Sequence, residues 1–391
     1  MKYSYSNPTN TARLDLLGFC QGYTSRVHKY ECLANAGSHE ARNDWQTYIA
    51  PVKEFGGCNP LNGNFTALVL PLCRPDRLKT VAYCLEYAFL HDTVVEAVDT
   101  TYQKHGRDEF TLGLGISNAE SVETGRKKLQ AKLMLRLHST DAQCAERVTR
   151  AWRNMLKTTL RGKTQLFPTL DDYLDFRRVD TGAPFVESMM LFGMGMTLNA
   201  QEDELMAPIL KPCYSALALA NDYFSFDREW EESQRSGSEK MLNAVALFMP
   251  WHKVDASTAK RLVKQACNKY EQDFLRLSHE FRTTSSFATQ KLDVYLDAMS
   301  YQVAGNVTWS LNCPRYHPSF RYDANAGIED QMALQHRNLA TLMGTCDEKY
   351  SVASNDHPDS VTSLGSASTE YTSVSDSDGL PSPASTVDIG P

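Results

Sequence analysis

The sequence predicts an all-α protein, a single large helical bundle followed by a tail with no core of its own. Apolar residues recur at helical spacing through most of the first 345 residues. Neither strand-helix-strand alternation nor an internal repeat is present. From Ser351 onward eleven Ser and four Thr lie among Pro, Gly and Asp, with almost nothing large to bury. The composition of the whole, 42% hydrophobic and 22% charged over 391 residues, is that of a globular chain with material for a substantial core.

The elements follow in order. The opening residues MKYSYSNPTNTARLD are polar, and no stretch approaches the roughly 18 to 20 unbroken apolar residues of a membrane span, so a soluble cytoplasmic protein is expected. Gly56 and Gly57 make the first clear break. Pro75 and Asp76 open a helix whose periodicity runs from Arg77 to Gln103, and Gly113 to Gly115 separates it from helices over Ala119 to His138 and Ala142 to Leu160. Thr169 with Asp172 three residues on is a capping box. Gly182 to Pro184 ends that helix, and Gly193 and Gly195 punctuate the next apolar run. Helices over Ala207 to Glu232, Ala256 to Glu280 and Thr289 to Asn312 follow, with Pro314 closing the last. Ten or more helices most simply form one bundle, whose ligand sites lie in the core between facing helices. The expected organisation is therefore a helical domain over 1–345 and a disordered Ser/Thr-rich linker or tail over 346–391.

Charge narrows the function. Forty Lys and Arg against 47 Asp and Glu give −7, and the last 41 residues supply six of those negative charges with no Lys or Arg, leaving −1 for residues 1–350. A nearly neutral body without a basic block excludes nucleic acid as the main partner. Ten scattered cysteines, with no CxxC pair, read as reduced and mostly buried thiols.

Two helices carry candidate chemistry. In LEYAFLHDTVVEAV, Asp92 and Glu96 are four apart and share a face with Val81, Leu85 and Phe89. A carboxylate on an apolar face needs a partner, whether a cation, a metal or an Arg. In LALANDYFSFDREWEE, Asn221, Ser225 and Glu229 fall at i, i+4 and i+8. An amide carbonyl, a hydroxyl and a carboxylate suit Mg²⁺, which keeps waters or phosphate oxygens in its shell, although the same trio also reads as a polar helix face. Asp171, Asp172 and Asp175 spell a second acidic string. They sit in the first turns after Pro168 and the Thr169 cap, where acids offset the helix dipole and Arg177 and Arg178 can pair with them, so they read as structural. Arg177 or Arg178, beside the break at Gly182, can reach a phosphate or form a surface salt bridge. Past Trp309 and Pro314 stand Arg315 and Tyr316.

In this order and spacing the acidic motif, arginine, Asn/Ser/Glu triad and Arg-Tyr pair resemble a class I terpene synthase. The blocks GFCQGYTSRVHKYE, EARNDWQTYIAP, LEYAFLHDTVVE, FRRVDTG, NDYFSFDRE and NCPRY are similar to the cyclase domain of the fungal bifunctional terpene synthases, over residues 1 to about 345. The resemblance implies the helical bundle of that class with a central active-site cavity. It makes Asp92 the principal ligand of two Mg²⁺ ions with Glu96 in the motif's last place, and gives the third of three ions to Asn221, Ser225 and Glu229. Arg177 becomes the diphosphate sensor, with Arg178 the alternative, and Asp180 links it to the cavity. Arg228, Arg315 and Tyr316 become hydrogen-bond donors to the diphosphate. The acidic motif departs from the family's double aspartate, a variation this subfamily tolerates. The implied partner is a prenyltransferase domain fused in the full-length protein, the Ser-rich tail resembling the start of the linker to it.

The implied activity is cyclisation of a linear prenyl diphosphate, geranylgeranyl or geranylfarnesyl. Ionising an allylic carbon–oxygen bond requires the growing diphosphate charge to be neutralised in a water-poor site, and the resulting cation is held by aromatic faces, which lack a carboxylate's nucleophilicity. Phe65, Phe89, Phe185, Phe192 and Trp309 are the candidate walls. A chain-elongating prenyltransferase is the near alternative and needs a second aspartate-rich diphosphate site. A non-catalytic helical binding module is the distant one and predicts no stabilisation by Mg²⁺ with diphosphate.

Overall fold

The computed structural model describes residues 3–9, 16–52, 63–105, 119–162, 165–236 and 241–316, and among these the side chains of 93–105, 119–123, 160–162, 236 and 312 are excepted. Of the two compact units into which the chain divides, Met1–Glu348 contains all of these residues. The tail expected over 346–391 lies outside them.

Eleven described helices make up the unit: α1 (Glu31–Tyr48), α2 (Phe65–Val69), α3 (Pro75–His105), α4 (Ala119–Thr140), α5 (Ala142–Gly162), α6 (Leu170–Asp180), α7 (Ala183–Met194), α8 (Ala200–Ser236), α9 (Ala244–His252), α10 (Ala256–Thr284) and α11 (Gln290–Asn312). The all-α expectation holds, with one small addition. Strands β1 (Ser6–Pro8) and β2 (Arg26–His28) pair antiparallel in the register Ser6 to His28. Three residues are too few for a strand to show its alternation in sequence.

Helix starts follow local chemistry. The Thr169 hydroxyl accepts from the Asp172 amide at 3.2 Å, the expected cap of α6, and Asp255 and Thr289 cap α10 and α11 in the same way. Helix α8 starts seven residues earlier than its periodicity suggested. The Asn199 side-chain Oδ1 accepts from the Glu202 backbone amide at 2.9 Å and the Glu202 carboxylate accepts from the Asn199 backbone amide at 2.8 Å, a reciprocal cap upstream of Pro208 and Pro212. Gly182 breaks the chain between α6 and α7 with φ of 77°, and Pro184 opens α7, where its missing N–H costs no helical bond.

Helix α3 runs through the middle of the unit, packing on α1, α7 and α8, while α11 packs on α2, α8 and α10. Three glycines allow the closest approaches. A Cβ on Gly125 would lie 1.9 Å from the Tyr48 carbonyl oxygen, one on Gly37 would lie 2.2 Å from that of Lys79, and one on Gly305 would lie 2.2 Å from that of Leu68. Val81, Met189, Leu219, Phe274, Met299 and Trp309 are among the fully buried residues of the core. Seven described cysteines are free and buried, as expected. Cys32 is instead disulfide-bonded. Pairing depends on Cα separation, which spacing in sequence does not reveal. Among the described residues no helix is long and apolar enough to cross a membrane.

Candidate active site

A cavity of about 420 Å³ opens between α3, α5, α7, α8 and α11, and one end differs chemically from the other. Its mouth carries Asp92, Arg177, Asp180, Asn221, Glu229 and Arg315, while Leu85, Leu217, Phe185 and Trp309 are among its apolar walls. The polarity follows from position along each helix. Asp92 lies two turns beyond Leu85 on α3, Asn221 one turn beyond Leu217 on α8, and Arg315 just past the end of α11.

Arg177 organises the mouth. Its Nε and Nη2 donate to Asp222 at 3.0 and 2.8 Å, Nη2 also donates to Asn221 Oδ1 at 3.1 Å, and Nη1 donates to Asp180 at 2.5 Å. Asp180 accepts in addition from Thr159 at 2.7 Å. Asp222 is fully buried and accepts further from the Tyr173 hydroxyl at 2.7 Å and the Ala244 amide at 3.0 Å. Burial raises the Asp222 carboxyl against the pull of Arg177. Burial alone would lower Arg177, but the charge of Asp222, then Tyr173 and Asp180, raises it well above its usual value and keeps it charged. Arg178 points elsewhere, donating to Ser215 at 3.2 Å and pairing with Asp175. Of the two candidates, the structure brings Arg177 to the cavity.

The triad on α8 is held by a residue that sequence spacing did not flag. The Asn243 side-chain amide donates to Glu229 Oε2 at 3.0 Å, to Ser225 Oγ at 3.4 Å and to the Asp222 carbonyl at 2.9 Å, while its own oxygen caps α9. Glu229 and Asn221 line the cavity, and Ser225, 1% exposed, lies behind them against Asn243. Asn221 donates to the Tyr316 hydroxyl at 3.2 Å. Across the mouth, Arg315 Nη2 donates to Asp92 at 3.2 Å, the carboxylate being 60% exposed, and its guanidinium lies 5.6 Å from the Phe89 ring centre. Arg228 lines the same mouth, 4.0 Å from Glu229. Glu96 continues α3 one turn past Asp92, and its side chain lies outside the described residues.

These donors fit a hard divalent cation. Ser225 Oγ and Glu229 Oε2 converge on one point, which the Asn243 amide group reaches, and Asp92 presents an exposed carboxylate at the same mouth. Among the described residues no three His, Cys, Asp or Glu side chains cluster at ligating distance. A mixed set of amide, hydroxyl and carboxylate oxygens leaves coordination positions for water or phosphate, as Mg²⁺ prefers.

Below the mouth is an aromatic wall. Phe65, Phe89 and Trp309 are mutual neighbours with ring centres 5.0 to 5.3 Å apart, and Tyr316 stands edge-on to Trp309 at 5.5 Å. Phe185 lines the cavity with Trp152, a ring absent from the expected set, packed 5.1 Å behind it. Phe192 is a correction. It is fully buried under the Arg77 guanidinium, 5.2 Å from its ring centre, and is not among the lining residues. Seven residues past Phe185 it shares that residue's face of α7 but lies about 10 Å further along the axis, past the cavity. The acidic string of α6 also stays away from the cavity. Asp172 is held by its cap, Asp175 by Arg178, and Asp171 is not a lining residue either.

A bundle with a deep aromatic cavity, closed at one end by arginines and mixed oxygen donors, defines an all-α, metal-binding terpene synthase fold. Residues 119–273 match the family described as "Terpene synthase family 2, C-terminal metal binding". The chain is 43% identical over 381 residues to a protein named variediene synthase from Aspergillus brasiliensis, covering 96% of this chain and 54% of that one. It is also 43% identical over 364 residues to Terpene cyclase ATR13 of Stachybotrys chlorohalonatus, covering 88% of this chain and 94% of that one. The chain belongs to the terpene synthase family. It thus spans about half the length of the first relative and nearly all of the second. Aristolochene synthase from Penicillium roqueforti shares the fold, with a TM-score of 0.51, 20% identity and coverage of 72% of this chain and 95% of that one.

Proposed function

We propose that this chain cyclises a linear prenyl diphosphate, geranylgeranyl or geranylfarnesyl diphosphate, and that the complete protein joins it to a prenyltransferase domain. One observation carries the reading: a single cavity holds an anion-binding mouth and an aromatic interior. Asp92 and Glu96 on one side and Asn221, Ser225 and Glu229 on the other are the residues that hold Mg²⁺, three ions in all with bound diphosphate. When bound, the metal supplies the positive charge that lets the diphosphate leave. Arg177, fixed by Asp222 and Asp180, reads the diphosphate together with Arg228, Arg315 and Tyr316, and their donors are preorganised before substrate arrives. Phe65, Phe89, Phe185 and Trp309 shield the cation from water and stabilise it through their ring faces.

Chain elongation is the poorer reading, because the second acidic string faces away from the cavity. The test is incubation with Mg²⁺ and each diphosphate from geranyl to geranylfarnesyl, with and without isopentenyl diphosphate. Cyclic hydrocarbons or alcohols identified by mass spectrometry and NMR support the reading, and longer linear diphosphates as the main product overturn it.

A further inference from the structure

We propose that the side-chain amide of Gln302 is a specificity-determining group, placed to hold positive charge at the inner end of the cavity once cyclisation has moved that charge away from the diphosphate. The inference rests on the cyclase reading and adds a residue to it. Gln302 lines the cavity, is 1% exposed, and its Oε1 has no hydrogen-bond partner among the described residues. An acceptor left unpaired in an interior destabilises the fold. The buried carboxylates outside the cavity have donors: Glu86 accepts from Arg42, Glu187 from Arg147 and Tyr295, Asp222 from Arg177, Tyr173 and the Ala244 amide, and Glu271 from the Cys20 amide. The unpaired oxygens of Tyr87, Asn268 and Ser278 lie outside the cavity, whereas Gln302 lines it.

Gln302, Asn306 and Trp309 fall at i, i+4 and i+7 of α11, and all three line the cavity. Gln302 therefore lies about 10 Å inward of Trp309 along the helix axis, and Arg315 and Tyr316 mark the opposite, diphosphate end. Ionisation breaks the allylic carbon–oxygen bond, and its electron pair leaves with the diphosphate. When a remote double bond then attacks the allylic carbon, its π pair becomes the new carbon–carbon bond and its other carbon is left cationic. That carbon is separated from the mouth by the folded chain. An amide oxygen there presents the negative end of a dipole to the cation, yet is far less basic than a carboxylate and does not end the sequence by taking a proton. Asn306, one turn nearer Trp309, extends the polar stripe.

The test uses the full chain with Mg²⁺ and whichever prenyl diphosphate the wild type consumes. Gln302→Met keeps length and bulk without the acceptor, and Gln302→Asn withdraws it by one methylene. Diphosphate release, product profile and melting temperature are read for each. For Gln302→Met, release stays within about threefold, and the ratio of the main cyclic product to acyclic and early-deprotonated hydrocarbons falls by about tenfold or more. Its melting temperature equals or exceeds that of the wild type, because an unpaired acceptor has been removed. Gln302→Asn gives an intermediate profile. An unchanged profile in Gln302→Met overturns the proposal, as does a melting temperature several degrees lower, which would assign the amide a role in packing. A wild type that releases no diphosphate from any prenyl substrate refutes the cyclase reading itself, and this proposal with it.

Discussion

Replacing Asp222 by Asn should uncouple Arg177 from the fold while leaving the overall shape intact. Asp222 is fully buried and accepts from Arg177 twice, from Tyr173 and from the Ala244 amide that opens α9. An Asn retains one acceptor oxygen, so one side of that set meets an NH2 group instead, and Arg177 loses one of its two buried counter-charges. Removing one partner of a buried ion pair costs about 3 to 5 kcal/mol. Asp180 still holds Nη1, so the lower end applies, about 3 kcal/mol. At roughly 2 to 4 °C per kcal/mol for a large domain, the melting temperature should fall by about 6 to 12 °C. Activity should fall further than stability, because Arg177 is positioned through Asp222. Differential scanning fluorimetry and single-turnover diphosphate release, run at a temperature where the variant is folded, measure the two effects separately. A variant that melts within a degree or two of wild type and ionises substrate normally would show that Asp222 neither anchors Arg177 nor ties α6 to α9.

Asp92→Asn should abolish turnover without lowering the melting temperature, whereas Asp171→Asn and Asp172→Asn should keep most activity and at most weaken the α6 cap by about 1 kcal/mol, as rate assays and melts on the same preparations will show. Phe89→Leu should redistribute products while diphosphate release persists, but Phe192→Ala should cost about 3 to 5 kcal/mol of stability with the product profile of the folded fraction unchanged, since Phe192 is core. His28 donates from Nε2 to the Cys73 carbonyl at 2.8 Å and accepts at Nδ1 from the Tyr30 amide at 3.1 Å, which fixes the neutral ring. Burial lowers its pKa to about 4. The unfolded chain therefore binds the extra proton first: its stabilisation is complete above about pH 6.5 and is lost as pH falls toward 4, at up to 1.4 kcal/mol per unit. Urea midpoints across that window should show this slope, and His28→Gln should flatten it by one proton.

What sequence could show, and what it could not, divides along the range of the interactions. Helical period and caps are local, so α3 to α6, α10 and α11 were legible, and Thr169 with Asp172 was readable as a cap rather than as a metal motif. The choice between Arg177 and Arg178 was not, because adjacent residues point about 100° apart and only the position of α8 decides which one meets Asp222. Phe192 was misplaced because periodicity gives the face of a helix but not how deep along it a cavity reaches. Asn243 was invisible for a different reason. Its cap role is local, but its amide reaches Ser225 and Glu229 across a chain reversal that no spacing encodes. Gln302 did leave a trace, one of two amides, with Asn306, in the stripe of Tyr295, Met299 and Trp309, and a count of polar residues on buried faces would have found it.

The contact between Gly305 and Leu68 bears on how such cavities come to differ in size. With no side chain between them, the five-residue helix α2 rests directly on the backbone of α11, and α2 carries Phe65 and Val69 of the wall. Trimming Phe65 changes one patch of that wall. A methyl group at position 305 acts on Phe65 and Val69 together, because the carbonyl it meets is backbone and cannot rotate away, so the whole of α2 must move outward as a unit. The position of the α2 part of the wall is thus set at a residue whose own side chain is a hydrogen atom, on the side of α11 where α2 is seated. Substitutions there act as a spacer between two plates, and their effect on where Phe65 and Val69 stand is decided by thickness rather than by chemistry.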